Sequence, residues 1–149
     1  MSAIARVIGV EGIRLDGHAR DQQDALRQVG ALLVEVGATT AAYTDGILAR
    51  ERSVSTFMGE EVAIPHGTDD SRQHVLRAAV VLIQYPDGVD WAGHRVTLCF
   101  GIASTSDEHV EVLAGLADVL MDPERAAALR GATDPQQVLD LLTAPADDE

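Results

Sequence analysis

One histidine, His66, lies in a sequence setting that suits chemistry. It follows the short apolar run 62–64 and Pro65, and it precedes Gly67. Proline ends a strand by removing a backbone donor, and glycine leaves room beside an imidazole. A ring placed there would lie at the carboxyl edge of a sheet, where ligands bind in open α/β folds. From the spacing alone, a loop histidine without a role stays an open alternative.

Two further residues could stabilise an anion. His109 lies in the first turn of a predicted helix, just behind the Thr-x-x-Glu capping box at 105–108. Backbone N–H groups and the helix dipole favour an anion there, and they favour the neutral form of an imidazole. Arg50 lies near the end of another predicted helix, where a cation suits the dipole. A surface position would explain His109, and the dipole alone would explain Arg50, so both alternatives stay open.

Other common types of site lack their motifs. The five histidines show no His-x-x-x-His or His-x-His spacing, and Cys99 has no Cys-x-x-Cys partner, so we predict neither a metal nor a cofactor. The chain lacks a Gly-x-Ser-x-Gly elbow and a Gly-x-x-x-x-Gly-Lys loop. Cys99 lies in an apolar run, which is typical of an inert core thiol.

Helical patterns frame these residues. Apolar residues recur at helical spacing over about 21–36, with Asp21 as the N-cap and Gly37 at the C′ position. A second helix is predicted over about 41–52, although Gly46 lies inside it. A third follows the capping box. Two more begin at the Asp-Pro pairs 122–123 and 134–135, and Gly131 ends the first of them.

Strand patterns lie between the helices. The runs 62–64, 78–85 and 96–102 predict strands, residues 13–15 alternate like a fourth, and a turn is expected at 86–88. The order predicts an α/β fold with a mixed central β-sheet flanked by helices. We expect one domain over residues 1–149, with a disordered tail at about 144–149.

Composition narrows the class of protein. The chain has 149 residues, 46% of them hydrophobic, and a net charge of −13. That charge argues against nucleic acid and anionic membranes as partners, and it favours a partner with a basic face. A single cysteine, no signal peptide pattern and no apolar run near the ~20 residues of a spanning helix predict a cytoplasmic protein.

Four stretches resemble one family. Residues 57–68, Phe-Met-Gly-Glu-Glu-Val-Ala-Ile-Pro-His-Gly-Thr, resemble the signature of the mannitol/fructose family of enzyme IIA domains of the bacterial sugar phosphotransferase system. Residues 81–91 are similar to the mannitol branch in particular. Residues 101–103 with the pair Glu108-His109, and Leu-Ala-Arg-Glu at 48–51, match the places of the second active-site histidine and of an arginine. The resemblance extends from about residue 12 to residue 142.

The resemblance implies a phosphocarrier. His66 would accept a phosphoryl group from a histidine phosphocarrier protein and pass it to a cysteine of a IIB domain, which phosphorylates a mannitol-like sugar entering through the membrane IIC component. His109 would donate a hydrogen bond to the phosphoryl oxygens, and Arg50 would stabilise their charge. No metal is required. The alternative is a regulatory IIA-like protein that signals its phosphorylation state by binding partner proteins.

Overall fold

A computed structural model describes residues 7–104 and 106–143, and for residues 106–110 it describes the backbone alone. Five α-helices are named here in chain order: α1 Gln22–Glu35, α2 Tyr43–Ser53, α3 Ser106–Leu120, α4 Pro123–Arg130 and α5 Pro135–Thr143. The five strands are β1 Ile13–Arg14, β2 Phe57–Gly59, β3 Val62–Ala63, β4 Ala79–Trp91 and β5 His94–Ala103. Short 3-10 helices span Val10–Gly12 and Asp70–His74.

The five strands form one mixed sheet in the order β1-β4-β5-β3-β2. β4 and β5 are an antiparallel hairpin, whereas β1 pairs with β4, and β3 with β5, in parallel. β2 closes the edge antiparallel to β3. The predicted α/β class with a mixed sheet is therefore confirmed.

Helices cover both faces of the sheet. Successive side chains of β4 point to opposite faces, so Val81 and Ile83 pack with α1 and α2, while Val80 and Leu82 pack with α3, α4 and α5. Because both faces are buried, β4 and β5 read as nearly continuous apolar runs in place of an alternating pattern.

The predicted turn at 86–88 is wrong. β4 continues through these residues with a shift of register between Gln84 and Val89, and the hairpin turns at Ala92 and Gly93, whose φ angles are 54° and 96°. Two positive φ angles are typical of the tight hairpin turn that matches strand twist. The carbonyls of Pro86 and Asp87 accept hydrogen bonds from Arg95, which satisfies the backbone of the irregular stretch.

Most helix ends agree with the sequence. The Asp21 carboxylate caps α1 by accepting from the Asp24 N–H at 2.9 Å. Gly37, with φ 80°, follows α1 in a Schellman arrangement, since its N–H donates to Val34 and that of Ala38 donates to Leu33. α4 and α5 begin at the two predicted prolines.

The start of α2 also differs from the prediction, two elements were not predicted, and two predictions lie outside the described residues. α2 begins at Tyr43, two residues later than predicted, because residues 40–42 form turns, the first closed by the Tyr43 N–H on the Thr40 carbonyl. β2 and the 3-10 helix Asp70–His74 were not predicted. The Thr105 capping box and the tail at 144–149 lie outside the described residues and stay predictions.

Candidate functional site

His66 extends the parallel pairing of β3 with β5 by one further bridge. It pairs with Ile102 near the end of β5, and the Ile102 N–H donates to the Pro65 carbonyl at 3.0 Å. The carboxyl ends of β3 and β5 therefore lie side by side, and His66 is placed at that edge of the sheet. Backbone hydrogen bonds thus fix the position of His66 at this edge of the sheet.

The His66 ring has a defined tautomer. Its Nδ1 lies 2.9 Å from the Ile64 carbonyl oxygen. A carbonyl can only accept, so Nδ1 carries the proton and the lone pair of the neutral ring is on Nε2. Burial lowers the pKa of His66 below its usual 6.5, and the Arg50 and Arg72 guanidinium groups add to that shift, against the Ile64 hydrogen bond and the Glu51 carboxylate. The tautomer and the lowered pKa together favour a neutral ring at neutral pH, with its lone pair on Nε2.

A buried tyrosine holds the backbone beyond the histidine. The Gly67 N–H donates to the Tyr43 hydroxyl at 2.9 Å, and that hydroxyl donates to the Ile102 carbonyl at 2.9 Å. Burial raises the pKa of Tyr43, which keeps the hydroxyl protonated and able to donate. Gly67 has no room for a side chain, because a Cβ there would lie 2.2 Å from Ser71 Oγ and 2.7 Å from the Tyr43 ring.

His66 opens onto a cavity of about 410 Å³. The lining residues are Arg50, Ser53, His66, Gly67, Thr68, Asp69, Asp70 and Arg72. Arg50 comes from the last turn of α2, as the sequence suggested, and its Nη1 donates to the Val54 carbonyl at 2.5 Å. The structure therefore brings two of the three predicted site residues, His66 and Arg50, to one cavity.

Sequence reasoning missed Arg72. It lies in the unpredicted 3-10 helix Asp70–His74 and lines the same cavity as Arg50. Arg72 follows His66 in the sequence, whereas Arg50 precedes it. Its Nη2 lies 3.4 Å from Oδ1 of Asp69. The only signal in the sequence was an arginine six residues after His66. That spacing fits neither a helix nor a strand, so it did not indicate that the two side chains meet.

Glu51 ties the end of α2 to the strands beside the site. Its carboxylate accepts from Trp91 Nε1 at 2.9 Å and from the Thr56 N–H and hydroxyl. The Thr56 carbonyl in turn accepts from the Ile64 N–H at 3.0 Å. Glu51 thus supports the residue whose carbonyl orients His66, which its place in the sequence did not reveal.

Neither His109 nor Cys99, the remaining candidates, is among the described residues that line this cavity. His109 lies on α3, which begins three residues after β5 ends, but its side chain is outside the described residues and its role stays a prediction. Cys99 is fully buried, and burial raises the pKa of its thiol, which agrees with the inert core thiol predicted from the sequence. In the described part of the chain, no three His, Cys, Asp or Glu side chains come together as metal ligands, and no helix there is long and apolar enough to span a membrane.

Comparison with known families gives a match over almost the whole chain. The model of the family "Phosphoenolpyruvate-dependent sugar phosphotransferase system, EIIA 2" matches residues 6–144. The chain is 42% identical to the multiphosphoryl transfer protein of Escherichia coli O157:H7 over 136 residues, 91% of this chain. It spans only about a third of the length of that relative, since the match covers 36% of it. It is also 37% identical to the mannitol-specific phosphotransferase enzyme IIA component of Staphylococcus aureus, covering 86% of this chain and 89% of that one.

Solved structures give the same picture. IIA mannitol from Escherichia coli superposes with a TM-score of 0.84 at 35% identity, covering 91% of this chain and 98% of that one. A complex of the same organism's enzyme IIA mannitol with phosphorylated enzyme IIB mannitol gives 0.86 at 33% identity, with 93% and 100% covered. The nitrogen regulatory protein IIA-Ntr from Neisseria meningitidis gives 0.83 at 27% identity, with 95% and 100% covered.

Proposed function

We propose that this chain, which belongs to the phosphoenolpyruvate-dependent sugar phosphotransferase system EIIA 2 family, carries a phosphoryl group on Nε2 of His66. Enzyme IIA components of this system are phosphotransferases, and this chain is one of them. The observation that carries the proposal is the 2.9 Å contact between His66 Nδ1 and the Ile64 carbonyl, because it leaves the nucleophilic lone pair on Nε2.

The proposed step is an in-line displacement at phosphorus. The Nε2 lone pair of His66 forms the new P–N bond while the P–N bond of the donor phosphohistidine breaks, and its electron pair returns to the donor ring. His66 keeps its Nδ1 proton on the Ile64 carbonyl throughout, so no proton has to leave the attacking ring. Such transfers need little covalent assistance, and positioning with charge stabilisation supplies most of the rate.

The cavity residues stabilise the transferred group in this proposal. Arg50 lines the cavity beside His66, and its guanidinium can present parallel donors to two phosphoryl oxygens. His109 is proposed as a further hydrogen-bond donor from the first turn of α3, where the helix dipole favours an anion. No metal or cofactor is assigned to the step.

The partners are proposed from the family. We assign a histidine phosphocarrier protein as the donor and a cysteine of a IIB domain as the acceptor, with the membrane IIC component served indirectly and a mannitol-like sugar as the final recipient. The similarity to an enzyme IIA mannitol solved with phosphorylated enzyme IIB mannitol supports the acceptor. We also propose a cytoplasmic location, which agrees with the single, buried Cys99 because the cytoplasm is reducing. Residues 1–149 are proposed to form one domain.

An acceptor assay tests the proposal. The protein is mixed with enzyme I, the phosphocarrier and phosphoenolpyruvate, and added phosphate is measured by intact mass and mapped under non-acidic conditions. His66→Ala should abolish acceptance, whereas His18→Ala, which removes an exposed histidine paired with Asp87, should leave it intact. An acid-stable phosphate, or one retained in His66→Ala, would refute the assignment.

A regulatory role is the second candidate. The similarity to the nitrogen regulatory protein IIA-Ntr supports it, at lower identity than the mannitol relatives. Both roles predict phosphate on His66, so the discriminating step comes after acceptance. Transfer from the phosphorylated protein to a IIB domain would favour transport; binding to a kinase or transcription regulator without transfer to IIB would favour signalling.

A further inference from the structure

Arg72 is fixed over the His66 cavity by a short, tightly packed element. Ser71, its neighbour in the 3-10 helix, is buried, and its hydroxyl donates to the Thr68 carbonyl at 2.7 Å. A Cβ on Gly46 of α2 would lie 2.3 Å from the Ser71 Cβ, so α2 and this turn meet without spare room. Arg72 therefore projects from a turn that packs tightly between α2 and the residues just after His66.

The cavity brings two cations close to His66 in a strongly acidic chain. The sequence has 24 acidic residues against 11 basic ones, and all 11 are arginines. Even so, two of these arginines, Arg50 and Arg72, line the same cavity as His66, and both act to lower the pKa of His66. The same lining carries the carboxylates of Asp69 and Asp70, and a phosphoryl group with nearly two negative charges would attract the two guanidinium groups away from them.

The two guanidinium groups differ in what holds them. Arg50 donates to the Val54 backbone carbonyl, which fixes it on α2. Arg72 contacts the Asp69 carboxylate at 3.4 Å, and the Asp69 side chain is 91% exposed. An exposed ion pair contributes little to stability, so Arg72 can leave Asp69 for a stronger anion at small cost. Asp69 itself lines the cavity and would repel that anion.

From these contacts we propose that Arg72 is a second phosphoryl-binding arginine, which Asp69 holds beside the cavity until the phosphoryl group is on His66. The inference rests on the proposed carrier function and adds a residue to it. Arg50 and Arg72 then bind the group from two separate elements, α2 and the 3-10 helix. The arginine fork matters for this role, because it can donate two parallel hydrogen bonds to phosphoryl oxygens where lysine is a point charge.

The test is an equilibrium measurement. Phosphorylated histidine phosphocarrier, freed of enzyme I, is mixed with this protein at several ratios, and the phosphorylated fraction of each is read by intact mass. Arg72→Gln should shift the equilibrium constant about tenfold toward the donor, the size expected for losing a hydrogen bond to a charged group. Arg72→Lys should lie between the two. The matched control Arg20→Gln removes an equally charged but 88% exposed side chain outside the cavity and should match the unaltered protein.

Asp69→Asn separates phosphoryl binding from a structural ion pair. If Arg72 binds the phosphoryl group, removing Asp69 frees the guanidinium and should raise the phosphorylated fraction. If the pair only braces the 3-10 helix, both variants should change the fraction in the same direction, and the proposal is overturned. Equal fractions for Arg72→Gln, Arg20→Gln and the unaltered protein would also overturn it. A failure of the unaltered protein to accept phosphate would instead refute the carrier function, and this inference with it.

Discussion

α2 and α4 are both short helices packed on the same sheet, one on each face, yet they contact it with different chemistry. α2 supplies Tyr43, which bonds the Gly67 N–H, Arg50, which lines the cavity, and Glu51, which accepts from the Thr56 N–H beside the site. α4 buries Ala126 and Leu129, and Leu129 packs in the apolar cluster on that face. One helix therefore positions the site, whereas the other stabilises the sheet that carries it, so stability and phosphoryl acceptance should respond separately to mutation.

The largest expected effect comes from removing one buried side chain in each of the two helices. Leu129→Ala in α4 and Ile47→Ala in α2 each remove a fully buried side chain and should lower the free energy of unfolding by about 2–5 kcal/mol. Below the unfolding transition, only Ile47→Ala should slow phosphoryl acceptance, because α2 carries the site residues. Urea unfolding and initial rates measure both; equal rates in the two variants would contradict the division of roles.

A pair of glycines gives the next contrast. Gly67→Ala forces a Cβ against Ser71 and Tyr43 and should displace the His66 loop, which predicts acceptance slower by about 10²-fold. Gly131→Ala, just after α4, meets nothing nearer than the Ala127 carbonyl at 3.7 Å and should keep its rate. Single-turnover transfer from the phosphocarrier is the measurement. A normal rate in Gly67→Ala would mean that the loop does not need its observed path.

Two buried polar side chains sharpen the comparison further. Tyr43 bridges Gly67 and Ile102 at the site, whereas Gln84 donates to the carbonyls of Leu129 and Ala132 at the end of α4. Tyr43→Phe and Gln84→Leu should each cost about 1–3 kcal/mol of stability by leaving buried backbone groups unpaired. Tyr43→Phe alone should slow acceptance. Thermal unfolding measures the loss of stability, and transfer kinetics measure acceptance. Slow transfer in Gln84→Leu would contradict the expectation that only the α2 variant affects acceptance.

The smallest effect concerns the pKa of His66. Arg50 near the end of α2 lowers it, so Arg50→Gln should raise the NMR titration midpoint, whereas Arg130→Gln at the end of α4 should not. Since burial places the folded-state pKa below 6.5, the unfolded chain binds the proton first as pH falls. Stability linked to His66 is therefore lost from about pH 6.5 down to the folded pKa and is constant below it. A midpoint above 6.5 in the unaltered protein would contradict the buried, neutral ring.

The long periodic elements were predictable from the sequence. β4, β5 and α1 carry continuous apolar runs or stripes, and Asp21 and Gly37 mark the ends of α1 by local hydrogen bonds. β2 was not predictable, because three residues without an apolar pattern become a strand only by pairing with β3. The turn was misplaced because Pro-Asp-Gly also fits an irregular strand whose carbonyls Arg95 satisfies.

The site was predictable only in part, for a related reason. His66 stood out through its neighbours Pro65 and Gly67, and Arg50 through its place on a helix with a readable end. Tyr43 and Arg72 join the site by tertiary contact: the Tyr43 hydroxyl reaches the Ile102 carbonyl, and Arg72 lies on a 3-10 helix fixed by packing against Gly46. No local pattern records such contacts.

Both backbone hydrogen-bonding groups of Ile102 support the segment around His66: its N–H donates to the Pro65 carbonyl, and its carbonyl accepts from the Tyr43 hydroxyl, which itself accepts from the Gly67 N–H. β5 and the backbone on both sides of His66 are therefore joined directly by hydrogen bonds. In the proposed carrier function, His66 meets two unlike partners in turn and has to present the phosphoryl group at the same position each time. We therefore expect the proposed function to keep Nε2 of His66 in one position relative to the sheet and to leave the adjustment to the partners.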